Sequence, residues 1–185
     1  MKKNSLLLIA VLLLSAFTIH KGKYATNTGK ISFYSSAPLE NIEAVNSKVS
    51  SILDSDNGDI VFSMAIKDFI FPKSLMQEHF NENYMESDKY PKSTFKGKIV
   101  NLADVKFEQD GKYNATIDGD LSIHNVTKKI RVSGTIEVKE GKIFAHAKFP
   151  VKVKDYNIEI PKIVFQNIAE TVDVTVDMIY EPYNK

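Results

Sequence analysis

Lys112-Tyr-Asn-Ala-Thr-Ile-Asp-Gly-Asp-Leu-Ser-Ile123 changes polarity at every step. Tyr113, Ala115, Ile117, Gly119, Leu121 and Ile123 fall on one face, and Lys112, Asn114, Thr116, Asp118, Asp120 and Ser122 on the other. Successive side chains of a β-strand point to opposite faces, so this period of two marks a strand with one dry and one wet side. The same reading extends outward. Ile130, Val132, Gly134, Ile136 and Val138 oppose Arg131, Ser133, Thr135 and Glu137. Ile143, Ala145, Ala147 and Phe149 oppose Phe144, His146 and Lys148, while Val172, Val174, Val176, Met178 and Tyr180 oppose Thr171, Asp173, Thr175 and Asp177.

Turn chemistry separates these runs. Glu140-Gly141 and His124-Asn125-Val126-Thr127 are short links, and Asp56-Asn57-Gly58-Asp59 opens the strand at Ile60. Short links join antiparallel neighbours. Weaker alternation marks further strands at Ile31–Tyr34, Ile42–Leu53, Ile60–Ile66 and Thr94–Leu102. About eight strands, each with one wet face, predict an all-β barrel or sandwich. One segment departs from period two: after Pro72, residues Leu75, Met76, His79, Phe80, Asn83 and Tyr84 recur at helical spacing, predicting a short helix over 72–84 that lies on an apolar surface.

Composition narrows the function. The 185 residues suit one domain, and 24 Lys+Arg against 23 Asp+Glu give a net charge of +1. No dense basic surface is available to displace counterions from nucleic acid. With no Cys, disulfides, thiol catalysis and Cys-ligated metals are excluded. Arg131 is the sole arginine, and its parity points it outward. Lys2, Lys3 and the apolar run Leu6–Leu14 read as an export signal, too short to cross a bilayer as a helix. Residues 1–18 are taken as this signal, with Ala16-Phe17-Thr18 an approximate cleavage site and an uncleaved anchor the alternative; the domain is taken as 24–185. The expected location is a bacterial periplasm or the exterior.

An eight-stranded barrel is either filled by its own side chains or holds one small ligand. Ala115, Gly119, Gly134, Ala145 and Ala147 on the dry faces leave volume unclaimed, unless each meets a bulky partner. Phe62, Met64, Tyr113 and Phe149 would wall such a space. Parity alone leaves both readings open. Asp68-Phe-Ile-Phe71 is equally a lid or a core plug.

Two longer stretches carry a family resemblance. Phe69-Ile-Phe-Pro-Lys-Ser-Leu-Met-Gln-Glu-His-Phe-Asn-Glu-Asn-Tyr-Met-Glu-Ser-Asp-Lys-Tyr-Pro91 resembles the most recognisable segment of the YceI-like family, and Asp118-Gly-Asp-Leu-Ser-Ile-His-Asn-Val-Thr-Lys128 resembles its second signature. Lys152-Val-Lys-Asp-Tyr-Asn-Ile158 and the closing Val-rich strand also fit, and the likeness runs from about Gly29 to the end. Asn125 stands where that signature usually has Gly, a substitution a left-handed turn tolerates. The resemblance implies an eight-stranded antiparallel lipocalin-like barrel, capped by one short helix. It also implies secretion and an isoprenoid or other long-chain lipid as partner.

The expected walls are Phe62, Met64, Tyr113, Ala115, Ile117, Leu121, Ala145, Ala147, Phe149, Ile163 and Phe165, with Met76, Phe80 and Tyr84 from the helix. A neutral isoprenoid or quinone-like head is preferred to a diphosphate, because Arg131 faces away from the interior. No cofactor, metal or catalytic set is expected. His79 beside Glu78 and Glu82 lacks a second His at helical spacing and reads as a side chain packed under the helix. Asp54–Asp59 has its Gly one place early for a calcium loop and Ala65 at the closing position, so it reads as a hairpin turn. The rivals are an envelope enzyme acting on a bound lipid, and an interaction module with a solid core. Oligomeric state is open, a dimer included.

Overall fold

The alternating stretch at 112–123 becomes the fifth strand of a closed eight-stranded antiparallel barrel. The computed structural model describes residues 22–183, the side chain of Ile163 excepted; the predicted export segment lies outside them. The strands are β1 (Lys23–Ser36), β2 (Asn41–Asp54), β3 (Asp59–Ala65), β4 (Lys92–Ile99), β5 (Gly111–Ile123), β6 (Val126–Lys139), β7 (Lys142–Lys152) and β8 (Thr171–Pro182). Each pairs with its neighbour in the chain, and β8 returns to β1, so no edge is left open.

Two-residue hairpins set the register on either side of β6. His124 and Asn125 both have positive φ (49° and 59°), as do Glu140 and Gly141 (52° and 76°). This mirror-image turn matches the right-handed twist of the strands it joins. Asp54–Asp59 is the expected turn: the Asp54 carboxylate accepts from the Asp56 N–H at 3.0 Å, and Asn57 Oδ1 from the Asp59 N–H at 2.8 Å.

β1 and β2 differ most from the sequence expectation, each running beyond the alternation that marks it. Register shifts between Thr26 and Gly29, and between Gly29 and Ile31, insert extra residues. The inward set therefore changes parity, from Tyr24 to Gly29, Ile31 and Ser35 on β1, and from Ala44 and Asn46 to Val49, Ser51 and Leu53 on β2. Asn46 holds the irregularity: its Nδ2 donates to the Ala65 carbonyl at 2.9 Å, and its Oδ1 accepts from the Lys48 N–H at 2.9 Å. A bulge re-aims side chains at the cost of a ladder bond, which a buried Asn replaces.

The predicted helix is shorter and less regular than its spacing suggests. α1 (Ser74–His79) gives one and a half α-turns and then continues as a π-helical turn, Phe80–Tyr84. Met76, Phe80 and Tyr84 still share the face turned towards the barrel. Below, the opposite end is packed shut. Tyr24, Leu53, Ile99, Val138, Ile143 and Tyr180 are buried there, with Val105 and Phe107 brought over from the β4–β5 connection. The Tyr180 hydroxyl donates to Ser51 Oγ at 2.8 Å, which itself donates to the Val61 carbonyl at 2.8 Å. Burial pushes the Tyr180 phenol up to about 12.

Candidate ligand cavity

Small inward residues do not all leave space. Phe95 lays its ring over Gly97 and Gly119, where any Cβ would overlap the ring, and Met178 covers Gly29 with its sulfur in the same way. Glycine at these positions is therefore a seat for a bulky neighbour. The main hollow of the barrel lies in its upper half, beneath the helix.

That hollow is a cavity of about 380 Å³. β1 supplies Ile31, Phe33 and Ser35; β3 supplies Phe62 and Met64; β5 supplies Leu121 and Ile123; β7 and β8 supply Phe149, Val172, Val174 and Val176. Its roof is Phe69, Phe71, Met76, Phe80 and Tyr84, with Ile158, Ile160, Val164 and Ile168 from the β7–β8 connection. The roof is pinned by backbone. Val45 and Ile70 exchange two N–H···O bonds, of 3.1 and 2.9 Å, which turns Phe69 and Phe71 inward and leaves Ile70 in solvent. Phe33, Phe69, Phe71 and Phe80 then form an aromatic cluster, with ring centroids 5.0 to 5.9 Å apart. Asp68–Phe71 is thus both a core plug and part of the lid.

Three of the polar side chains of the lining are engaged within the protein. Ser35 Oγ accepts from the Ala169 N–H at 2.9 Å, and Ser93 Oγ donates to the Ser122 carbonyl at 2.7 Å. Glu40 at the mouth holds Lys73 Nζ at 2.9 Å. Burial raises the Tyr84 phenol above its ordinary value. His79 and Asn167 complete the polar lining. His79 is exposed at the mouth, not packed under the helix as expected, because α1 turns Met76 and Phe80 inward instead. Among the described residues, no three His, Asp or Glu side chains gather to hold a metal.

His124 latches the roof to the barrel. Its side chain is 8% exposed, with Nδ1 3.2 Å from the Tyr156 carbonyl and Nε2 3.0 Å from the Glu86 carboxylate. A carbonyl only accepts, so Nδ1 carries a proton and donates. The Tyr90 ring meets the imidazole edge-on at 4.4 Å. One turn residue thus ties together both segments that cover the cavity.

Of the expected wall residues, Phe62, Met64, Met76, Phe80, Tyr84, Leu121 and Phe149 line this cavity. Ile117, Ala145 and Ala147 line instead a second chamber of about 80 Å³ lower in the barrel. Tyr113 and Ala115 line neither. Their inward parity is right but their height is not: Tyr113 packs at the closed end and donates to the Gln109 carbonyl at 2.8 Å. Phe165 is a correction of another kind, since it stands 62% exposed on the β7–β8 connection beside Leu39, whose N–H donates to the Gln166 carbonyl at 2.9 Å. The side chain of Ile163 is outside the described ones. Phe69 and Phe71 line the cavity from the segment read as lid or plug, while sequence reasoning missed Phe33, and the β8 valines despite their clear alternation.

A closed antiparallel barrel, sealed below and hollow under a helical lid, defines a lipocalin-like architecture. Residues 15–180 match the YceI-like domain, and the chain belongs to the YceI-like family. No curated protein matches the sequence. Among solved structures it is similar to a polyisoprenoid-binding domain from Saccharophagus degradans implicated in plant cell wall breakdown. The TM-score is 0.75 at 14% identity, covering 89% of this chain and 100% of that one. It is also similar to BcnA of Burkholderia cenocepacia, with TM-score 0.69 at 15% identity, covering 83% and 96%. The YceI protein of Campylobacter jejuni gives 0.54 at 17% identity, covering 99% and 100%.

Proposed function

We propose that this protein binds an isoprenoid or quinone-like lipid, its apolar chain in the upper cavity and its head at the mouth near Glu40, His79 and Asn167, and that it carries or stores that lipid in the cell envelope after export. The observation that carries the reading is the 380 Å³ hydrocarbon-lined space whose two buried serines bond to backbone. The polyisoprenoid-binding structure from Saccharophagus degradans, although only 14% identical, supports the choice of ligand class.

The energetics are consistent. A methylene takes about the liquid volume of a water, roughly 30 Å³, so the cavity takes about a dozen chain carbons. At about 0.8 kcal/mol each they contribute on the order of 10 kcal/mol gross. A preformed cavity keeps the opposing cost near the low end of about 4–15 kcal/mol, leaving about 6 kcal/mol. That lies between millimolar and micromolar affinity, and carbons held under the mouth tighten it further. Binding of this kind requires no catalytic group.

A neutral head fits the mouth better than a diphosphate. Lys73 is already matched to Glu40, and the sole arginine is on the outer face, where Nε and Nη2 each reach the Asp118 carboxylate at 2.6 Å. Calorimetric titration with a neutral prenol and with its diphosphate tests this. Equal or tighter binding of the neutral prenol is expected, and tighter binding of the diphosphate would overturn the head-group assignment.

A further inference from the structure

The floor of the upper cavity is thin. Phe62, Phe149 and Val176 line both it and the 80 Å³ chamber beneath, so these three side chains form the partition between the two spaces. Phe62 comes from β3, and Phe149 and Val176 from β7 and β8, on the far side of the eight-stranded ring. The two phenylalanines therefore enter the lumen from opposite walls. Phe62 is backed by Phe95, its cross-strand partner, stacked at 5.2 Å and 18°. Phe95 in turn is seated on Gly97 and Gly119, so the stack is supported from beneath. Below the partition the chamber is apolar, walled by Leu53, Ile117, Ala145, Ala147 and Met178 among others, and its volume would take about three more chain carbons. Thr135, His146 and Tyr180 are the polar residues on its border, and two of them are already engaged, His146 with the Asp177 carboxylate and the Tyr180 hydroxyl with Ser51.

We propose that Phe62 and Phe149 act as a length stop: they fix the depth to which an apolar chain descends and so make this protein selective for chain length, about a dozen carbons lying above the stop and any excess remaining at the mouth. The proposal rests on the reading that the upper cavity holds an apolar chain. A hydrophobic pocket distinguishes chains by the methylenes it can bury, each tightening binding about fourfold at room temperature. Once the chain end meets the stop, further methylenes stay near the mouth and add little.

Saturated primary alcohols of increasing length, titrated into the full-length protein, read the stop directly. For the native protein the dissociation constant is expected to fall about fourfold per added carbon and then level off near a dozen carbons. Phe62→Ala joins the two spaces and is expected to move the break by three carbons or more. Adding Ala147→Leu to Phe62→Ala sets three carbons, about the volume of the chamber at about 30 Å³ each, in the lower space and moves the break back towards its native position. Should Phe62→Ala fail to melt cooperatively, Phe62→Leu opens a narrower passage and is expected to move the break in the same direction. An unmoved break in a folded Phe62 variant overturns the stop, as does a native series with no break up to eighteen carbons; in both cases the lipid-binding reading survives. If no alcohol binds the native protein, the lipid-binding reading falls and the stop falls with it.

Discussion

Val174→Trp places a plug in the upper cavity without disturbing the barrel. Val174 is half-buried on β8, pairs with Phe33 on β1 and Phe149 on β7, and faces the hollow. The substitution adds about seven heavy atoms, roughly 200 Å³ at about 30 Å³ each, or half of the 380 Å³ available. About six chain carbons lose their place. At about 0.8 kcal/mol each the loss is on the order of 5 kcal/mol, more than a thousandfold in affinity. Stability should change far less, because the indole enters space that already exists; overpacking elsewhere in a core costs about 1–3 kcal/mol. The chain has no Trp, so the new indole is its only one and reports its own surroundings through its emission. A blue-shifted emission, an unchanged melting temperature to within a few degrees and a lost prenol titration are the expected results. Ile179→Trp, on the outer face of the same strand and 51% exposed, should bind as the native protein does. Native affinity in a Val174→Trp protein whose indole is demonstrably buried would refute the placement of the ligand.

Other parts of the structure give independent tests. Tyr180, held at about 12 against an ordinary 10, is protonated in folded and unfolded chains alike below pH 10; between pH 10 and 12 only the unfolded phenol loses its proton. Stability should therefore fall across that window by about 2–3 kcal/mol, and Tyr180→Phe should flatten this part of a pH series of denaturant melts. Gly119→Val sets a branched side chain where the Phe95 ring lies, and should lower stability by about 1–3 kcal/mol or more in thermal unfolding. His124→Ala deprives the Tyr156 carbonyl and the Glu86 carboxylate of their shared partner, at about 1–3 kcal/mol. Faster amide exchange at 84–90 and 153–158, with the closed end of the barrel unaffected, is the expected signature.

Much of the barrel was legible because its strands obey a single period. β5 to β8 keep one parity from end to end, and both hairpins beside β6 carry turn residues that tolerate positive φ. β1 and β2 were legible only in part, since the bulge beside Gly29 and Asn46 shifts the inward set from one parity to the other. Parity tells inside from outside but not height along the barrel axis, and this is why the site was less legible than the fold. Tyr113 and Ala115 point inward as expected yet lie near the sealed end, whereas Leu121, further along the same strand, reaches the hollow. Small residues were also ambiguous from sequence: Gly119 is filled by Phe95, while Ala145 and Ala147 border a real but minor space. Phe69 and Phe71 alternate around Ile70 over too short a run to register as a strand, and only the bridge to Val45 turns them inward. Phe165 was placed by parity and family resemblance, but it lies outside any strand, where parity fixes no direction.

A greasy chain held in the space under the lid is what the proposed function requires. Native mass spectrometry of the protein isolated from cells that make it, followed by organic extraction, measures this directly. The prediction is one extractable apolar lipid per protein, absent from Val174→Trp. A bare protein mass that gains nothing when a neutral prenol is supplied would contradict it.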